Sequence, residues 1–245
     1  MKTLSTLLLL SFALLAQFGC SWGWNGYVEV NIKFFLQGPF DNEAGNSMKI
    51  DLRDNGYLPL TQPYNDSPWN YLGTESVDEI PSNVVDWVLV ELREDTTKVI
   101  TRKAGFLLSG GLVVDLDGIN PLKIKASPNK YYIVIYHRNH LAAMSAEKIS
   151  LKRHSILYDF TISIEKYYGE TGAEELDTDI WGVVAADGNA DGYIGLEDYE
   201  LYQISQGNEG YEAADYNLDG GVFLEDFNLY QLNQGRETGV PALGE

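Results

Sequence analysis

Cysteine is nearly missing from this chain: Cys20 is the only one in 245 residues, so no intrachain disulfide can form. Basic residues are scarce too, 17 Lys and Arg against 36 Asp and Glu, for a net charge of −19. Without a basic patch to neutralise phosphates, nucleic acid is excluded as a partner. Histidine occurs three times, at His137, His140 and His154. No third His or Cys at a suitable spacing completes a zinc site around His137-Arg138-Asn139-His140, which reads as a polar strand end. No G-x-S-x-G, H-E-x-x-H or phosphate-binding glycine loop is present, and Ser109-Gly110-Gly111 is a hairpin-type turn. Paired carboxylates occur in any acidic chain and do not by themselves indicate a glycosidase. The chain therefore reads as a non-enzyme.

Long apolar runs are confined to the first residues. Met1–Gln17 carries Lys2 and the runs Leu7–Leu10 and Phe12–Ala16, too short for a membrane span and suited to a secretory signal within residues 1–20. Two endings stay open: cleavage after Ala16, or lipidation of Cys20 behind Gly19. Only the second brings the mature chain to a membrane. The expected location is extracellular or at the cell surface. An exported chain without disulfides needs another staple for a small module.

Residues 21–169 read as β. Tyr27–Lys33 alternates apolar and polar residues, as does Leu122–Lys125, and Val84–Leu92 is apolar almost throughout, as a strand covered on both faces would be. Further strands are expected at Val99–Leu108, Leu112–Leu116, Tyr131–Tyr136 and Ile156–Ile162. Turn clusters separate them, and Tyr57–Pro81, rich in Pro, Asn and Tyr, reads as a long loop. Short strands at this spacing predict a mainly β fold, an immunoglobulin-like β-sandwich. Its aromatics (Trp22, Trp24, Trp69, Trp87, Trp181 and 16 Tyr) belong mostly to cores, with a sugar-stacking platform as the alternative.

The organising feature lies further on. Asp187–Asp198, DGNADGYIGLED, returns 28 residues later as Asp215–Asp226, DYNLDGGVFLED. Each places oxygen-bearing side chains at loop positions 1, 3, 5 and 12: Asp187, Asn189, Asp191 and Asp198, then Asp215, Asn217, Asp219 and Asp226. Calcium takes six to eight oxygens at about 2.3–2.6 Å, and a twelve-residue loop wraps them around one centre. The carbonyls of Tyr193 and Gly221, at position 7, add one ligand each. Gly192 and Gly220 provide the sharp turn at position 6. Position 9 is Gly195 or Phe223, so water completes the shell. Position 12 is Asp rather than the more usual Glu, which needs a loop closed about one methylene tighter. Ile194 and Val222, at position 8, are expected to pair the loops back to back through a short β-bridge. The cofactor is thus Ca2+, at two sites.

The repeat continues through Leu196–Gly207 and Leu224–Gly235, with apolar residues at helical spacing (Leu201 and Ile204; Leu229 and Leu232) and a Gly at each stop. Each unit is a loop followed by a helix, with no helix entering the loop. Residues 181–238 resemble the dockerin family, duplicated EF-hand-like calcium modules of cellulosomes and related bacterial surface proteins. That resemblance implies a small α module built to dock on a scaffold protein. Dockerins read their cohesin partner largely through small hydroxyl residues at loop positions 10 and 11, where this chain has Leu196-Glu197 and Leu224-Glu225. For Leu196 and Leu224, packing on the chain's own neighbouring domain is therefore open. Stretches such as IPSNVVDWVLVELRE and KYYIVIYHRNHLAAMS also look like a β-domain that precedes such repeats in secreted proteins of Bacteroidetes-type bacteria. It carries no catalytic residues to transfer.

Charge is split along the same line. From Glu170 onward 18 acidic residues face one basic residue, Arg236, which accounts for −17 of the total. Without cations the calcium loops would repel themselves. Residues 170–180 read as an acidic linker, Trp181 as packing against the helices, and 239–245 as a tail. The reading is a secreted, non-catalytic, calcium-binding structural or adhesion protein of the cell surface or matrix. Two protein-partner alternatives accompany it. One is docking on a scaffold, which an apolar, solvent-facing helix pair would support. The other is self-association into a filament, by strand addition from Ser21–Gly26.

Overall fold

The computed structural model describes residues 26–243. The signal segment, Cys20, Trp22, Trp24 and nearly all of the Ser21–Gly26 strand-addition segment lie outside these residues. No helix among the described residues is long and apolar enough to cross a membrane.

The fold is mainly β. The first strands are β1 (Val28–Val30), β2 (Ile32–Lys33), β3 (Phe40–Asp41) and β4 (Ser47–Met48), followed by a one-turn helix α1 (Asp51–Asp54). The long strands β5 (Val84–Arg93) and β6 (Val99–Leu108) come next, then β7 (Val113–Val114), β8 (Leu122–Ile124) and β9 (Asn129–Tyr136). Short strands β10 (Ala143–Met144), β11 (Ile149–Leu151) and β12 (Tyr158–Asp159) complete this part. The main sheet runs β10-β9-β5-β6-β7, all antiparallel, with β11 also on β9. The second layer consists of the pairs β1–β8 and β2–β12, the latter parallel. It joins the main sheet at one edge through the Val114–Pro121 bridge, and at the other through Glu29 N donating to Lys152 O at 2.9 Å. The layers thus enclose a single core around Trp87 and Phe106, whose ring centroids lie 4.2 Å apart.

β5 is buried at every position, as its apolar run requires. Segment 57–81 is a loop, as expected, but it is laid along the sheet. Tyr64 Oη donates to Trp87 O at 2.7 Å, and Trp87 Nε1 donates to Pro59 O at 2.8 Å. Trp87 is core, with no exposed surface, and carries no sugar platform. The Ile156–Ile162 expectation shrinks to Tyr158–Asp159; Ile156 and Ile162 are exposed.

The acidic stretch 170–180 is not a linker. Ala173–Asp177 forms β13, which pairs antiparallel with β14 (Ile180–Val183). β14 is fastened to the β-domain by Trp181 N donating to Thr161 O and Val183 N donating to Phe35 O. Trp181 therefore belongs to this hairpin. Glu174, Glu175 and Asp177 all keep some exposure along this strand, and sequence composition alone reads such a run as a solvated tether. The tail is stitched down as well: Thr238 Oγ1 donates to Ala142 O at 2.6 Å, and Arg93 Nη1 donates to Pro241 O at 2.8 Å. Last come the two helices, α2 (Leu196–Ser205) and α3 (Leu224–Asn233).

Candidate metal centres

The two loops repeat most of each other's hydrogen bonds. In the first, Asp187 Oδ1 and Oδ2 accept from Asp191 N and Gly192 N, both at 3.1 Å; in the second, Asp215 accepts from Asp219 N and Gly220 N at the same distances. Asn189 Oδ1 and Asn217 Oδ1 each accept the position-5 amide at 2.9 Å. Asp191 Oδ1 and Asp219 Oδ1 each accept the position-7 amide, from Tyr193 at 2.9 Å and Gly221 at 3.0 Å. Asp198 and Asp226 stand at the third residue of α2 and α3, where each carboxylate reaches back to cap the helix, accepting from Gly195 N at 2.7 Å and Phe223 N at 2.8 Å. Their other oxygens accept from Asn189 N and Asn217 N. Capping thus turns position 12 toward the loop, which lets the short Asp reach. Gly192 and Gly220 have φ of +89° and +94°, the left-handed turn that position 6 requires. Position 4 is left-handed too, at Ala190 (φ 56°) and Leu218 (φ 59°), a strained conformation that neither residue type signals in the sequence.

Among the described residues nothing donates to the carbonyls of Tyr193 and Gly221. No group of three or more His, Cys, Asp or Glu side chains is drawn together among them as a ready-made metal cluster. Each loop instead spreads its three carboxylates, one amide oxygen and one carbonyl around the turn.

The electrostatics suit a cation. Asp187, Asp198, Asp215 and Asp226 are all buried. Burial, reinforced by Asp198 and Asp191, pushes Asp187 well above the usual carboxylate range. Burial likewise raises Asp198, takes Asp215 up to about 7 and takes Asp226 up to about 6. A buried carboxylate is stable in its charged form only beside a positive partner. The donor set, hard oxygens with no sulfur or imidazole, fits Ca2+.

The loops do not pair as expected. Ile194 N donates to Arg236 O and Ile194 O accepts from Gly235 N, both at 2.9 Å. Val222 N donates to Asn208 O and Val222 O accepts from Gly207 N, at 2.9 and 2.8 Å. Each position-8 residue is therefore paired with a segment leaving a helix: loop 1 with the exit of α3, loop 2 with the exit of α2. The two exits are again 28 residues apart, so the pairings repeat. Between the helices the seam is aromatic. Tyr199 and Tyr202 face Phe227 and Tyr230, with ring centroids 5.4 Å (Tyr202–Phe227) and 5.5 Å (Tyr199–Tyr230) apart. Of the aliphatic residues, Leu201 and Leu229 are half-buried against the core, and the others are left outside. Leu196 and Leu224 are 61% and 62% exposed, and Ile204 and Leu232 are 78% and 69% exposed. Leu196 and Leu224 therefore do not pack on the β-domain.

Other residues fix the module to the β-domain, and the His137–His140 strand end is their centre. Asn139 Nδ2 donates to Ala213 O at 3.1 Å and to Asp215 O at 2.6 Å. Arg138 Nη1 donates to Glu212 O, and its guanidinium lies over the Tyr211 ring at 4.1 Å. Asp86 accepts from Arg138 Nε at 3.0 Å and Tyr211 Oη at 2.6 Å. His140 Nε2 accepts from Gly38 N at 3.2 Å, leaving Nδ1–H to donate to Asn139 Oδ1 at 2.9 Å. Burial lowers the pKa of both His137 and His140, so each is neutral. Gly38 itself admits no side chain, because a Cβ there would stand 1.8 Å from Tyr216 O. On the far side Asn233 Nδ2 donates to Gln37 Oε1 at 2.7 Å and Ala185 O at 3.0 Å. The run His-Arg-Asn-His is visible in the sequence as a polar strand end, but its role as the module's seat is not.

No protein-family model and no curated protein matches the sequence. Among solved structures, two crystal structures are similar to this chain: an N-terminal and a C-terminal interface mutant of a type II cohesin–X-dockerin complex from Acetivibrio cellulolyticus. The identities are 18% and 19% and the TM-scores 0.36 and 0.37, with 62% of this chain and 82% of each of those chains covered. A likeness this slight assigns no residue and no partner.

Proposed function

We propose that this chain is a secreted, non-catalytic docking protein, in which a calcium-stapled, dockerin-like module carries the β-domain to a protein partner on the cell surface or in the matrix. The observation that carries the reading is the duplicated apolar face. Leu196 with Ile204, and Leu224 with Leu232, stand in solvent on two equivalent helices whose core is made by aromatics instead. Exposed aliphatics repeated by an internal duplication add nothing to the module's own packing, and such patches mark interaction sites. Their neighbours Glu197, Glu200 and Glu225 are exposed, so the matching surface is an apolar groove with a basic rim.

Calcium, held at each loop by its three Asp, its Asn and its position-7 carbonyl, is structural in this reading: it supplies the positive charge that the buried carboxylates lack. Millimolar extracellular calcium fills even modest sites. The test is capture of surface proteins from the source organism on immobilised protein, with and without chelator. Replacing Leu196, Ile204, Leu224 and Leu232 by Ser should abolish calcium-dependent capture while shifting stability by only about 0.5 kcal/mol per site, since all four are exposed. Capture that survives the fourfold replacement would refute the docking face.

A further inference from the structure

The two loops share most of their internal hydrogen bonds but differ in what faces them from outside. Arg138 comes from the strand end after β9, and its Nη2 lies 3.8 Å from Asp215 Oδ2. That side chain is 94% buried, and Nη2 makes no hydrogen bond. The rest of the guanidinium is fixed: Nε by Asp86, Nη1 by Glu212 O, and its face by Tyr211. Of the acidic groups around it, only Asp215 is a calcium-loop donor. Loop 1 has no counterpart. Among the described residues no Lys, Arg or His nitrogen comes within 4.0 Å of a carboxylate oxygen of Asp187, Asp191 or Asp198.

We infer that the two calcium sites are unequal and that Arg138 makes them so, acting as a resident cation that competes with calcium at loop 2. The inference rests on reading both loops as calcium sites. A fixed positive charge about 4 Å from a ligand oxygen repels an incoming divalent ion, and burial leaves the repulsion poorly screened. Calcium at loop 2 must also displace part of the attraction between Arg138 and Asp215, a loss that loop 1 does not have. Asp86 offsets some of this charge, so the difference is a graded weakening rather than exclusion. Loop 1 then fills first and loop 2 second. Linkage makes the effect reciprocal: whatever affinity Arg138 removes from calcium, calcium removes from the grip of Arg138 on the module. As calcium falls, loop 2 empties first and its first ligand is drawn to the β-domain.

The experiment is a calcium titration of the full chain by NMR, following the Gly192 and Gly220 amides as separate reporters of the two loops. In the wild type, Gly220 should reach its midpoint at about tenfold higher calcium than Gly192. Arg138→Met, which keeps the length and apolar body of the side chain, should bring the Gly220 midpoint to within about threefold of Gly192 without moving Gly192. Arg138→Lys, which keeps the charge, should retain the separation, and it provides the comparison if the Met variant does not fold. Coincident midpoints in the wild type, or an Arg138→Met titration that leaves the separation unchanged, would overturn the assignment. Failure of either amide to respond at millimolar calcium would instead remove the calcium reading itself.

Discussion

The two halves of the molecule handle buried acid in opposite ways. In the β-domain, the buried carboxylates Asp86 and Glu91 each face a guanidinium from the same domain: Arg138 for Asp86, and Arg93 and Arg102 for Glu91. In the module, Asp187, Asp198, Asp215 and Asp226 are equally buried, yet among the described residues only Asp215 has a cation of the chain nearby, and that cation belongs to the β-domain. The first half carries its own counter-charges and closes on an apolar core. The second half, at −17 overall, carries a single basic residue of its own, Arg236. Under the proposed calcium reading, the stability of one part is set by sequence alone and that of the other by solution composition.

Substitutions at matched buried acids sharpen the contrast most. Asp187→Asn should lose about 4 kcal/mol of stability in saturating calcium, the contribution of a ligand present at about a thousand times its Kd, and nothing in chelator. Thermal melts under both conditions read this directly. Glu91→Gln should cost about 3 kcal/mol under both conditions, because it leaves Arg93 buried without its carboxylate partner and touches neither calcium loop. If Glu91→Gln proved calcium-dependent, or Asp187→Asn calcium-independent, the division would fail.

The junction comes next. Gly38→Ala should cost about 2 kcal/mol, since a methyl cannot share space with Tyr216 O and the seat of loop 2 must shift. The loss should appear as earlier proteolysis between the β-domain and the module, with β-domain melting nearly unchanged.

The smallest effect is acid sensitivity in saturating calcium. His140 and His137 have folded pKa values below the ordinary 6.5, so the folded state binds fewer protons than the unfolded one. Their stabilisation is present above pH 6.5 and is lost as pH falls below it, by up to about 1.4 kcal/mol per pH unit for each group. At His140 a second proton would set Nε2–H against Gly38 N–H. Replacing His140 by Asn should flatten this slope in pH-dependent melts, and an unaltered slope would assign the sensitivity elsewhere.

Local spacing and alternation were enough to find the long strands and the loops. β6 matches its expected span of Val99–Leu108, β5 ends one residue late, and the DxNxDG pattern marks both turns because each position is fixed by local backbone geometry. What sequence did not reveal depends on partners distant in the chain. The acidic run from Ala173 became a strand only because Phe35 and Thr161 were waiting to bond its hairpin. Ile194 and Val222 each found a helix exit rather than each other, which no local pattern specifies. Of the aliphatic residues at helical spacing, Leu201 and Leu229 are half-buried against the core, while Ile204 and Leu232 face solvent because the aromatics fill the seam. Arg138 and Asn139 read as a polar strand end, since the module carbonyls they bond lie about seventy-five residues further on.

The most direct test of the account is a calorimetric calcium titration of chelator-treated protein spanning residues 17–245, with melting followed in parallel. The account predicts two calcium ions per chain and a rise in the module's melting temperature of at least about 10 °C, given several kcal/mol of binding free energy in a chain of this size. No heat and no shift at millimolar calcium would contradict it. Asp187–Asp198 and Asp215–Asp226 would then be turns stabilised by their own amides, and the module's four buried acids would need another explanation.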